Sequence, residues 1–148
     1  MQKRNKPGAV VPVPTEDAEQ MCLFRWATYE KGKWPELETM FHVPNEGKRG
    51  AATAVRFKAM GLKAGVPDIC LPVARGGYNI LFIELKRQKG GKLSENQREW
   101  LEALRKQGAR AVVCEGWEAA REEIVSYLGG EKCAEDQQGE GLSDGKGR

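Results

Sequence analysis

The sequence predicts an α/β sandwich. Apolar residues recur at helical spacing in four segments, strand-like runs lie between these segments, and the stretch from Phe82 to Cys114 reads strand, helix, strand. The predicted order is αβαββαβα, and the strand-helix-strand unit implies a parallel pair joined by one right-handed crossover. With 148 residues the chain has room for one domain with a real core, and not for two.

Residues 1–14 are basic and Pro-rich without periodicity, and read as a disordered N-terminal arm. Thr15 is an N-cap opening a helix to about Tyr29, in which Leu23, Phe24 and Ala27 repeat at helical spacing and Glu16 and Gln20 share a face. Gly32 and Pro35 punctuate the next loop. Thr39-Met40-Phe41-His42-Val43 then reads as a short strand, stopped by the turn Pro44-Asn45-Glu46-Gly47. A second helix runs from about Ala51 to Met60, with Gly61 as its C-terminal stop.

Two strands, Asp68 to Val73 and Asn79 to Lys86, form a hairpin through Arg75-Gly76-Gly77. Pro72 puts the first of them near a sheet edge or at a bulge. Gly90-Gly91 breaks the chain, and Ser94 opens an amphipathic helix carrying Trp100, Leu101 and Leu104 that closes at Gly108. Ala111 to Cys114 is a further strand, and Glu118 to Leu128 the last helix. Residues 129–148 are polar and Gly-rich and read as a disordered tail, which leaves residues 15–128 as the folded domain.

Composition excludes several classes. No apolar stretch approaches the roughly 20 residues of a membrane helix. Lys3, Arg4 and Lys6 precede an apolar run broken by Pro12 and Pro14, which is no signal-peptide core, so a cytoplasmic location is expected. Cys22, Cys70, Cys114 and Cys133 form no CxxC pair and His42 is the only histidine, which argues against a zinc site or a disulfide framework. Three of these cysteines are expected to pack as small apolar residues, with Cys133 in the tail. A net charge of +3 is too small to announce a nucleic-acid partner, and the local pattern says more. Lys86, Arg87, Lys89, Lys92 and Arg98 crowd one segment, while Lys48, Arg49, Lys58 and Lys63 lie ahead of Asp68.

The chemistry converges on the hairpin. Strand side chains alternate faces, so Glu84 and Lys86 point one way and Ile83 and Leu85 the other. Charged residues among apolar neighbours are costly unless paired or metal-bound. A hairpin centred near Gly76 sets Asp68 opposite Glu84, and cross-strand neighbours on one face lie about 5 Å apart. Two carboxylates so placed suit Mg²⁺ or Mn²⁺, with Lys86 orienting a water or stabilising developing negative charge. The simpler reading of Glu84 and Lys86 is a surface ion pair, and of Gly65-Val66-Pro67-Asp68 a turn opener.

In series, Glu16, Gln20 and Trp26, Pro44-Asn45, Lys63-Ala64-Gly65-Val66-Pro67-Asp68, Phe82-Ile83-Glu84-Leu85-Lys86-Arg87, Gly90-Gly91, Leu93-Ser94 with Gln97, Trp100-Leu101 and Gly108 resemble the virus-type replication-repair nuclease family, VRR-NUC. This family falls within the PD-(D/E)xK nuclease superfamily, and the resemblance runs from about Glu16 to Leu128. It implies a restriction-endonuclease-like αβββαβ core with a mixed sheet flanked by helices. It also implies Mg²⁺- or Mn²⁺-dependent hydrolysis of DNA, with Asp68 and Glu84 as metal ligands and Lys86 as the catalytic lysine. Compact members resemble Holliday-junction resolvases acting as homodimers in DNA repair, which makes branched or single-stranded DNA the expected partner.

The first-helix glutamate of the family falls on Glu16 or Glu19. Glu16 is preferred because Gln20, Phe24 and Ala27 continue its inward face. Gln97 matches a family glutamine near the site, yet Ser94-Glu95-Asn96-Gln97 is equally a capping box. Asn45, Lys48, Arg49, Lys63, Arg87, Lys89 and Lys92 are candidate DNA contacts, although Glu46 stands where members often carry a second glycine. Trp26, Trp100 and Trp117 read as core, Trp34 as a contact for DNA or a second subunit, and His42 as a structural strand residue. The alternatives are a non-cleaving DNA-binding or repair-scaffold module of the same fold, and a metal-dependent phosphohydrolase acting on nucleotides.

Overall fold

The computed structural model describes residues 11–44 and 50–130. Its organising strand is β3 (Leu81–Lys86), which lies between β2 (Ile69–Leu71) and β4 (Arg110–Glu115), with β1 (Phe41–His42) outside β2. β1, β2 and β3 run antiparallel, and β4 runs parallel to β3. On this mixed sheet pack α1 (Glu16–Glu30), α3 (Glu95–Lys106) and α4 (Trp117–Leu128), while α2 (Ala51–Ala59) lies between β1 and β2 in the chain. The αβββαβ core is therefore present, with α2 inserted between β1 and β2 and α4 added after β4.

Alternation along the strands divides the molecule into layers. Ile69 and Leu71 pair with Ile83 and Leu81, and these residues, with Leu85, face α1 and α4 in one core with Leu23, Ala27, Ile124 and Tyr127. Each fully buried Leu or Ile contributes about 1.5–3 kcal/mol, which is why this face fixes the register. Cys70, Phe82, Glu84 and Lys86 belong to the other face, where α3 lies.

The ends of the elements follow local chemistry. Thr15 accepts the Ala18 N–H and starts α1 as expected. Gly61 takes φ +98° just past α2, a conformation that residues with a Cβ avoid. Ser94 caps α3.

Several expectations are corrected. Thr39 and Met40 are not in a strand, because Pro35 opens a 3₁₀ turn that runs to Thr39 and leaves β1 two residues long. β2 is an interior strand despite Pro72, since pairing stops at Leu71, before the missing proline N–H is needed. Cys70 and Cys114 are buried, but Cys22 lies on the exposed side of α1. Trp26 and Trp117 pack partly buried against the core as expected, and Trp34, in the loop after α1, packs beside them while keeping part of its surface exposed. All of residues 51–60 are exposed, so α2 adds no side chain to the core.

No helix among the described residues is long and apolar enough to cross a membrane. Residues 1–10 of the expected arm, Asn45 to Arg49, and residues 131–148 of the tail with Cys133 lie outside the described residues.

Candidate active site

Ile69 pairs with Ile83, so the next step of the same register brings Asp68 opposite Glu84. The ladder of β2 has ended there, and the Asp68 side chain takes its place: Oδ2 accepts the Leu85 N–H at 2.8 Å. The Asp68 carbonyl is held from the other side by the Val43 N–H at 2.7 Å and by His42 Nδ1 at 3.0 Å. A carbonyl only accepts, so in this contact Nδ1 carries the proton, and His42 serves as a strand residue bracing Asp68.

The approach to Asp68 is equally constrained. Gly65 has φ +87°, and a Cβ there would come within 2.7 Å of the Asn96 backbone carbon, so only glycine lets this loop lie against the first turn of α3. Trp100 Nε1 donates to the Ala64 carbonyl at 3.0 Å, and Pro67 is fully buried.

Glu84 and Lys86 are not a surface pair. Glu84 is 1% and Lys86 6% exposed, and Lys86 Nζ lies 2.8 Å from Glu84 Oε1. Burial pulls the Lys86 pKa down, but the hydrogen bond and charge of Glu84, with the charges of Glu16 and Asp68, outweigh it and hold the group above an ordinary lysine. Lys86 is therefore a fixed cation at neutral pH. Gly91 packs directly on it, since a Cβ at that position would meet Lys86 Cβ at 2.8 Å.

Gln97 joins both of its expected roles in one side chain. Its Oε1 accepts the Ser94 N–H at 2.9 Å and completes the capping box, while its Nε2 donates to Glu84 Oε1 at 2.6 Å. Because a carboxylate oxygen only accepts, the amide orientation is fixed by both partners.

The two candidate glutamates of α1 are separated. Glu19 is 1% exposed, and its Oε2 accepts the Trp117 N–H at the start of α4 at 2.8 Å. Glu16, one turn earlier, is half-buried, and its charge is among those that raise the Lys86 pKa. Glu16 also lines a cleft of about 350 Å³ with Thr15, Asp17, Arg87, Gly90, Gly91 and Lys92. Lys63 and Lys89 are exposed, outside that lining. Asn45, Lys48 and Arg49 lie outside the described residues.

Among the described residues no three Asp, Glu, His or Cys side chains form a ready-made metal cage. The donors near Lys86 are nonetheless all hard carboxylate oxygens. That chemistry fits Mg²⁺ or Mn²⁺, which bind through one or two carboxylates and complete their shell with water and phosphate.

Sequence reasoning missed the cap that Glu19 places on α4, the Trp100 contact and the packing of Gly65 and Gly91. The glycines in Gly65-Val66-Pro67-Asp68 and Gly90-Gly91 were signals of close backbone approach. Glu19 stood only as the alternative to Glu16, and nothing local marks its bond to Trp117, 98 residues away.

The VRR-NUC domain family model matches residues 15–118. A solved VRR_NUC domain protein superimposes with a TM-score of 0.71 at 32% identity, over 82% of this chain and 94% of that one. No curated protein matches the chain.

Proposed function

Because this chain belongs to the VRR-NUC family, a family of nuclease domains, we propose that it hydrolyses phosphodiester bonds in DNA with Mg²⁺ or Mn²⁺ at Asp68, Glu84 and Lys86. The observation that carries the reading is the convergence of Lys86 and Gln97 on Glu84 Oε1, opposite Asp68 in the hairpin register. Replacing a buried ion pair by apolar residues of the same size is often neutral or stabilising, so the pair is poorly explained by a stabilising role alone.

Glu16, Asp68 and Glu84 are the residues that would hold the ion. The ion they would hold would supply Lewis acidity toward a phosphoryl oxygen and an attacking water. The chain's own residues do the rest. Lys86, held as a cation, stabilises negative charge developing on the phosphate, and Gln97 fixes the carboxylate of Glu84. Leu85 N–H, His42 and Val43 hold Asp68 in place. Arg87 and Lys92, in the cleft beside Glu16, neutralise phosphates flanking the scissile one. Lys63, Lys89, Asn45, Lys48 and Arg49 extend that basic surface in this reading.

Branched or single-stranded DNA is the proposed substrate, by analogy with Holliday-junction-resolvase-like members of the family, and a homodimer the proposed form. Val55 of α2 and Met60 just past its end, each 69% exposed, support a partner surface there. The test is a cleavage panel on single-stranded, flap, duplex and four-way DNA, with Mg²⁺, Mn²⁺ or chelator. Cutting of branched or single-stranded DNA only with metal is expected. Gel-shift binding without cleavage in any metal would leave a scaffold module instead.

A further inference from the structure

We propose that Glu19 is a positioning residue: by tying the first turn of α1 to the start of α4, it sets the place of Glu16 relative to Lys86. The inference rests on the reading of Glu16 as a ligand for the divalent cation.

Glu19 is buried at 1% exposure, with Oε2 on the Trp117 N–H at 2.8 Å. Its Oε1 is also buried and meets no hydrogen-bond donor among the described residues. A carboxylate with one unanswered oxygen is an expensive way to fill a core position. Part of that cost is offset by α4, whose N-cap Gly116 has φ +85° and no side chain to cap the helix.

What distinguishes Glu19 is where its bond lands. Gly116, next to Trp117, donates its own N–H to the Lys86 carbonyl at 2.7 Å. The route from Glu16 to Lys86 is then one helical turn, the Glu19–Trp117 hydrogen bond, one peptide unit and one backbone hydrogen bond. Gln88 packs on Gly116, where a Cβ would meet its Cγ at 2.8 Å, and keeps the junction closed. These links tie the backbone of the turn that carries Glu16 to the backbone of Lys86. Both residues are half of a site whose other half, Asp68 and Glu84, is fixed by β2, β3 and α3.

The experiment is Mn²⁺ binding to the full chain, measured by calorimetry or electron paramagnetic resonance in a double-mutant cycle with Glu16→Gln. Glu19→Ala is expected to weaken Mn²⁺ binding about tenfold, the usual scale for a residue supporting a ligand. In the Glu16→Gln background it should cause no further loss, because Glu19 acts through Glu16. Glu19→Gln, which keeps an acceptor for the Trp117 N–H, should bind Mn²⁺ like the parent. If Glu19→Ala does not fold, Glu19→Asp takes its place, since its shorter side chain cannot reach Trp117. Unchanged binding in Glu19→Ala, or an equal loss in both backgrounds, overturns the proposal. If the parent protein itself binds no Mn²⁺, the metal reading fails and the Glu19 proposal falls with it, an outcome distinct from a parent that binds while Glu19→Ala has no effect.

Discussion

Gln97 donates from Nε2 to Glu84 Oε1 at 2.6 Å while its own Oε1 accepts the Ser94 N–H at 2.9 Å. The start of α3 is thus hydrogen-bonded to the central carboxylate of the candidate site, and the same amide closes a capping box. The two roles can be separated. Ser94→Ala removes the cap hydroxyl and should lower stability by about 0.5–2 kcal/mol, with little change in kcat. Gln97→Ala removes the hold on Glu84 as well, and should lower cleavage by about tenfold to a hundredfold. Denaturation curves beside single-turnover kinetics check both, and an equal kinetic loss in Ser94→Ala would sink the distinction.

Lys86 and Glu84 form a buried pair, so removing one partner costs more than removing both. Lys86→Met should destabilise the protein by about 3–5 kcal/mol, and Lys86→Met with Glu84→Gln should recover most of that while remaining inactive. Additive losses in urea unfolding would argue that the pair is not coupled.

The same pair gives a pH dependence with a definite sign. The folded pKa of Lys86 lies above the ordinary 10.5, so its contribution is fully present below 10.5 and is lost as pH rises through the folded value. Stability should fall in that alkaline range, and the double variant lacking the pair should show a shallower fall there. Identical alkaline profiles for the two proteins would remove Lys86 as the cause.

Burial pushes the Cys70 thiol up to about 11 and, with the nearby charge of Glu123, that of Cys114 to about 12. Neither should react with iodoacetamide at neutral pH in the folded protein, whereas Cys22 is exposed and should. Peptide mapping after labelling with and without denaturant checks this. Native-state labelling of Cys70 would show that its end of the sheet opens readily.

If α2 forms the contact between two copies, Val55→Glu with Met60→Glu should convert the protein to monomer at micromolar concentration without loss of fold. Analytical ultracentrifugation with and without DNA measures this. A parent protein that is monomeric in both conditions contradicts the homodimer.

The parts of this molecule legible in the sequence are those written as local period or symmetry. Alternation along Ile83-Glu84-Leu85-Lys86 places glutamate and lysine together, and a hairpin centred on Gly76 gives the Ile69 to Ile83 register that sets Asp68 against Glu84. The capping box at Ser94 and Gln97 was equally local. Other features depend on which surfaces the fold brings together. The Glu19 bond to Trp117 joins segments 98 residues apart. Gly65 reads as an ordinary turn residue until α3 is laid against it. The helical spacing of α2 says nothing of whether any layer covers it, and Pro72 hints at an edge because sequence does not show how soon pairing stops.

The central claim is that Asp68, Glu84 and Lys86 act as one unit in metal-dependent phosphodiester hydrolysis. It is tested most directly by cleavage of a labelled four-way junction and its single-stranded arm under saturating Mn²⁺, with the parent, Asp68→Ala, Glu84→Gln and Lys86→Met compared as folded proteins. The account predicts cutting by the parent, none after chelation, and loss of at least about a thousandfold in each variant, the scale for removing a group that stabilises a transition state directly. Cleavage that survives chelation, or near-parent rates in Asp68→Ala, would contradict it.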